Sequence, residues 1–163
     1  MKVCEKMQMT KNEQLITLGW REWVSLPELG LPAIKAKVDT GARTSALHAF
    51  DIEQYTEDGV DMLRFLVHPV QKNQEFIVKC TAPVKERRQV TDSGGHREMR
   101  YVIETLIVID TYSFPIELTL TDRDTMRFKM LLGRTALNNR AIVDPAASFK
   151  CGKKDAKLVY GLK

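Results

Sequence analysis

An alternating apolar run, Leu31–Val38, ends in Asp39-Thr40-Gly41-Ala42. That order constrains the fold more than any other stretch of the chain. A strand of this kind delivers a carboxylate to its end, and a glycine two residues later lets the backbone turn tightly beneath it. The threonine hydroxyl can bond a neighbouring backbone and hold the turn. Asp-Thr-Gly alone is a weak signal, since average residue usage produces it by chance in roughly a few per cent of chains this long.

A second stretch makes the first specific. Lys129-Met130-Leu131-Leu132-Gly133-Arg134-Thr135-Ala136-Leu137 is an apolar run ending in Gly-Arg, followed by a short helix-like segment. Taken together, the two stretches resemble aspartic proteases of the retropepsin type. In those proteins Asp-Thr-Gly-Ala follows one strand, and an apolar-apolar-Gly-Arg segment passes behind the catalytic loop. Leu18-Gly19-Trp20 with Leu26-Pro27, the run from Lys35 to Leu47, Arg100-Tyr101, and Leu120-Thr121-Asp122-Arg123 extend the likeness. As a set they resemble one bacterial family with a retropepsin-like fold, usually labelled "ATP-dependent zinc protease". It is often encoded beside an ATP-grasp enzyme that adds glutamates to a ribosomal protein. The resemblance covers about residues 14–150.

The 163 residues are most simply one domain at 14–150, between a polar tail at 1–13 and a basic tail at 151–163 that is expected to fray. No apolar run approaches a membrane span, and residues 1–10 lack the apolar centre of a signal peptide. Three widely spaced cysteines, Cys4, Cys80 and Cys151, fit a reducing cytoplasm better than a disulfide framework. The net charge of +4 is modest, and no basic run alternates with aromatics, so nucleic acid is not the expected partner. An acidic peptide is compatible with it.

In chain order, residues 14–26 alternate as a strand, with Trp20 and Trp23 near a bend, and two prolines with Gly30 mark a hairpin connection before Leu31. Residues 44–50 fit a strand or a helical turn. Glu57-Asp58-Gly59 reads as a turn, and residues 61–70 and 74–81 as strands. Residues 83–88 form a charged approach to a hairpin at 88–101 whose centre is Ser93-Gly94-Gly95. The β-branched runs at 101–109 and 114–121 predict buried strands, and residues 122–127 a charged turn. Thr135 to Asn139 suits one helical turn, and Ala141–Val143 with Asp144 a last strand. Many short strands and little helix predict an all-β closed barrel with one short helix.

Aspartic proteolysis requires two carboxylates about 3 Å apart sharing one proton. The chain has one Asp-Thr-Gly; Asp110-Thr111-Tyr112 and Asp122-Arg123-Asp124 lack the glycine. The resemblance therefore implies a homodimer with Asp39 from each chain meeting on a two-fold axis. It implies that Thr40 locks the two loops together and that Gly41 offers its carbonyl to the substrate backbone. It also implies that Ala42, Arg43 and Arg134 border the substrate, and that Ser93-Gly94-Gly95 tip a flap that closes over it. The alternative reading of Asp39 is a residue that merely caps a turn.

Arg43 stands where viral retropepsins carry an acid that pairs with the arginine of the Gly-Arg segment, here Arg134. Two close arginines need anions. Asp144, Glu98 and Glu104 are internal candidates, and a substrate carboxylate is the external one. The zinc of the family label has no motif: His48, His68 and His96 are isolated, and a set such as His48, His68 and Cys80 would have to assemble from distant segments. No phosphate-binding glycine loop is present, so any ATP dependence would belong to a partner ligase. Ser45 and Ser93 lack a marked base. The sequence thus predicts a cofactor-free, cytoplasmic, homodimeric aspartic endopeptidase acting on glutamate-tailed proteins or on the glutamate ligase. The alternative is a catalytically silent module of the same fold that grips an acidic peptide or the ligase.

Overall fold

The computed structural model describes residues 15–122 and 127–163. The tail expected at 1–13, Cys4, and the Arg123 and Asp124 of the charged turn lie outside the described residues. Among the described residues, twelve strands account for most of the fold: β1 Ile16–Leu18, β2 Arg21–Leu26, β3 Leu31–Val38, β4 Ser45–His48, β5 Phe50–Glu57, β6 Val60–Val67, β7 Val78–Pro83, β8 Glu86–Thr91, β9 Arg97–Ile109, β10 Tyr112–Thr121, β11 Met130–Leu132 and β12 Ala141–Val143. Two four-residue helices, α1 Arg134–Leu137 and α2 Ala156–Val159, and a 3-10 turn at Pro27–Leu29 complete it.

Six strands form a circuit. β10 runs parallel to β4, β4 antiparallel to β11, β11 parallel to β3, and β3 antiparallel to β2. β2 meets β9 at the pair Ser25 and Val108, and β9 returns antiparallel to β10. The expected barrel forms and closes at this narrow seam. Closure satisfies backbone groups that an open edge would leave unpaired. β8 extends the N-terminal half of β9 beyond the barrel, while β5, β6 and β7 make a separate antiparallel sheet.

The period-two pattern explains the core. Along β2, Glu22, Val24 and Leu26 are buried and alternate with half-buried Arg21, Trp23 and Ser25. Ile34, Leu47, Ile103, Ile107 and Leu118 are fully buried and come from four different strands. Residues 44–50, open between strand and helix in the sequence, hold the wholly buried β4 and the first residue of β5. β7 starts later than the sequence suggests. The Asn73 side-chain oxygen accepts from the backbone N–H of Glu75 and Phe76, a local turn that holds those residues out of the ladder.

The C-terminal run packs instead of fraying. The buried Glu22 carboxylate accepts backbone N–H bonds from Gly19 at 2.6 Å, Cys151 at 3.0 Å and Lys150 at 3.1 Å. Tyr160 then closes on β3, donating its hydroxyl to the Ala33 carbonyl at 2.6 Å. Both contacts tie the end of the chain to strands at its beginning, which local sequence pattern does not reveal.

Candidate active site

β3 ends at Val38, but its parallel pairing with β11 continues one step further: the Asp39 N–H donates to the Leu132 carbonyl at 2.9 Å. The chain then turns. Gly41 donates its N–H to Asp39 Oδ1 at 3.0 Å, and Ala42 donates to the Asp39 carbonyl at 3.2 Å. The carboxylate is thus oriented by the turn it begins. Thr40 and Gly41 are exposed, and Asp39 is half-buried.

The Gly-Arg segment clamps this turn from behind. Arg134 and Thr135 donate their N–H groups to the carbonyls of Ala42 and Arg43, each at 2.9 Å. The Arg134 guanidinium donates to the Thr40 carbonyl at 3.0 Å. Gly133 donates to Ser45 Oγ at 3.0 Å, so Ser45 is engaged in holding the loop. Asp39 and Gly133 lie side by side, as the packing expected from sequence requires.

The turn forms the floor of a cleft of about 570 Å3. Asp39, Gly41, Ala42, Arg43 and Arg134 line one side, and the β8–β9 hairpin lines the other. At the hairpin tip, Asp92 Oδ1 accepts from Gly94 N–H and His96 N–H, both at 2.9 Å, and Gly95 has a positive φ of 83°. Ser93 reaches the cleft with Asp92, whereas Gly94 and Gly95 build the turn.

Among the described residues, four arginines surround the cleft: Arg43, Arg88, Arg100 and Arg134. The sequence reading missed Arg88 and Arg100 as site residues. They are directly opposed partners across β8 and β9, and like charges in that position repel. Each has its own acid. Arg88 reaches Glu117 on β10 at 2.7 Å and also pairs with Glu86. These two hydrogen bonds, Glu117 first, raise its pKa above the ordinary value. Its other nitrogen donates to Thr44 Oγ1 at 3.3 Å, which links the hairpin to the loop after Asp39. Arg100 is only 7% exposed and bonds Glu98 at 3.2 Å. A signal for this pair was present: any hairpin centred on Gly94 places residue 88 opposite residue 100.

The internal partners expected for Arg43 and Arg134 are engaged elsewhere. Glu98 bonds Arg100 and Thr121, Glu104 bonds Lys85, and Asp144 accepts from the Ala146 N–H. Among the described residues, neither Arg43 nor Arg134 forms an ion pair. The histidines and cysteine weighed as a distant metal set have other contacts. His48 and His68 each stack on Phe50, and Cys80 Sγ donates to the Leu29 carbonyl.

A closed β-barrel whose Asp-Thr-Gly turn is braced by a Gly-Arg segment defines a retropepsin-like protein. The chain belongs to the RimB-like family, whose model, described as retropepsin-like aspartic endopeptidase RimB, matches residues 17–154. Its relatives include a probable alpha-L-glutamate ligase of Shewanella pealeana, 42% identical over 95% of this chain and 34% of the relative. Another protein of that name, from Parasynechococcus marenigrum, is 49% identical over 84% of this chain and 29% of the relative. The chain therefore spans about a third of the length of these curated relatives. Among solved structures it is similar to Lpg0085, a protein of unknown function from Legionella pneumophila. The TM-score is 0.71 and the identity 26%, covering 83% of this chain and 98% of the other.

Proposed function

We propose that this chain is an aspartic endopeptidase that works as a homodimer on acidic, glutamate-rich peptide. The observation that carries the reading is the Asp39 turn, held by backbone bonds to Leu132, Gly41 and the Arg134 segment, at the floor of an arginine-bordered cleft. Two such carboxylates, one from each protomer, would share one proton. The ionised one takes a proton from water while the other donates to the scissile carbonyl oxygen. The resulting tetrahedral diol collapses, its C–N bond breaks, and the leaving nitrogen collects a proton from the dyad. Thr40 would tie the two loops across the axis, and Gly41 would bind the substrate backbone. Ser93, Gly94 and Gly95 would close over the peptide.

Acidic specificity fits Arg43 and Arg134, which have no internal carboxylate partner among the described residues and border the cleft. The relatives named as probable glutamate ligases support a link to glutamate-tailed proteins or to the ligase itself. A cytoplasmic setting accords with the free thiols Cys80 and Cys151. Among the described residues no helix is long and apolar enough to cross a membrane.

Asp39→Asn tests the reading, because it keeps the shape of the side chain and removes the titrating group. The variant should retain the parent's melting temperature and lose cleavage of an oligoglutamate-tailed peptide. A statine-like transition-state analogue should inhibit the parent, and a chelator should not. Undiminished cleavage by Asp39→Asn would sink the aspartic mechanism. Binding of the tail without cleavage by the parent would favour the silent module.

A further inference from the structure

A second groove, sharing no described lining residue with the cleft, has a volume of about 630 Å3. Among the described residues, five lysines line it: Lys35 from β3, Lys72 from the β6–β7 connection, and Lys153, Lys154 and Lys157 from the C-terminal run. Among the described residues, the only acid in its lining is Asp155, whose Oδ1 accepts the Leu158 N–H. Among the described residues, none of the five lysines forms an ion pair. Lys154 donates to the Pro32 carbonyl at 2.8 Å. Burial, followed by the charges of Arg21, Arg127 and Lys72, pushes the Lys35 ammonium pKa down. The groove therefore holds positive charge that repels itself, and an anion would relieve it.

The aromatic residues here narrow the class of anion. Trp23 and Phe149 stack at 6.4 Å, and Lys35 Nζ lies 5.0 Å from the Trp23 ring centre. The Arg21 guanidinium lies 4.7 Å from the Phe149 ring centre. These rings are already engaged, whereas single-stranded nucleic acid requires faces on which bases can stack. The remaining chemistry suits carboxylates on a flexible polypeptide.

Geometry connects the groove to the cleft. The period of two puts Lys35 and exposed Lys37 on one face of β3, and the next position in that series is Asp39. Lys37 is paired in the ladder with Leu131, which lines the cleft. Four residues of strand span ~13 Å. A peptide lying at Asp39 reaches the groove within about four extended residues.

We propose that this groove is a second binding site, which holds the distal carboxylates of a polypeptide whose proximal part lies in the Asp39 cleft. The proposal rests on the reading of that cleft as one for acidic peptide. It extends that reading by making affinity grow with the length of the acidic segment.

The test is binding without turnover, measured by fluorescence anisotropy on the full chain carrying Asp39→Asn. The probes are labelled oligo-L-glutamates of about two and about twelve residues, which at ~3.4 Å per extended residue fall short of and exceed the ~13 Å step. The triple variant Lys72→Ala, Lys153→Ala, Lys157→Ala removes three exposed lysines and spares Lys154, and its melting temperature should match the parent's. Its affinity for the longer probe should fall about tenfold, with a shallower salt dependence, since exposed charge contacts are individually modest. The shorter probe should bind both proteins equally. Equal affinity of the longer probe for both proteins, including no measurable binding to either, overturns the proposal. A single-stranded RNA of matched charge that binds the parent more tightly than the longer probe, and is weakened by the triple variant, overturns the assignment to polypeptide. Arg43→Ala on the same background separates the two readings. If it weakens the shorter probe while the triple variant leaves the longer one unchanged, the cleft reading survives and the groove fails. If only the triple variant has an effect, the groove is supported as an acid-binding site and the cleft reading fails.

Discussion

Gly133 lies against the backbone of Thr44: a Cβ added at residue 133 would fall 2.7 Å from the Thr44 carbonyl carbon and 2.9 Å from the Ser45 nitrogen. The glycine has φ −93°, so the requirement is for space and not for an unusual conformation. Gly133→Ala should destabilise the chain by about 1–3 kcal/mol, the usual cost of an overpacked contact. Peptidase activity should fall further than the folded fraction does, because the displaced segment also carries the Leu132 carbonyl that holds Asp39. Urea unfolding and activity measured on the same samples separate the two effects. An unchanged midpoint would mean that the Thr44 loop moves aside.

The proposed dyad makes activity a property of the dimer. Specific activity should decline on dilution through the dimer dissociation constant, and activity should also fall at high pH as the shared proton is lost. Sedimentation run beside the dilution series checks this. Constant specific activity down to a demonstrated monomer would rule out the shared site.

Arg43→Ala should change which peptides are cleaved more than how fast the best one is cleaved. A charge-assisted hydrogen bond is worth about 1.5–3 kcal/mol, so the preference for acidic over basic residues near the scissile bond should shrink by roughly one to two orders of magnitude. Peptide-library profiling of parent and variant reads this directly. The same ranking in both proteins would make the arginine structural.

Burial raises the Cys80 thiol to about 12, and burial with the charge of Glu22 raises Cys151 to about 11. A raised thiol pKa favours the neutral form. At pH 8 the thiolate fraction is then roughly one in ten thousand at Cys80 and one in a thousand at Cys151. Iodoacetamide should leave both thiols unmodified in the native protein and label both in denaturant, as peptide mass mapping would show. Fast native labelling at Cys80 would mean that the sheet around it opens readily.

The Asp39 turn and the Gly133 segment were legible in the sequence because each is local. An alternating strand, a carboxylate, and glycines where the backbone must turn or be approached closely all leave their mark within a few residues. The barrel was legible for the same reason, since the period of two along β2, β9 and β10 is written residue by residue. Strand order was not, because pairing β4 between β10 and β11 depends on contacts across more than seventy residues. Only the folded arrangement decided the fate of the charges. It set Arg88 beside Glu117 and Thr44, gave Glu98 to Arg100 and Glu104 to Lys85, and left Arg43 and Arg134 facing the cleft. The C-terminal run was misread for a related reason. Its composition is that of a solvated tail, and the carboxylate of Glu22 and the backbone of Ala33 that receive it lie more than a hundred residues away. Sequence pattern records which face of a strand is apolar; which acid meets which base is fixed only when distant strands are brought side by side.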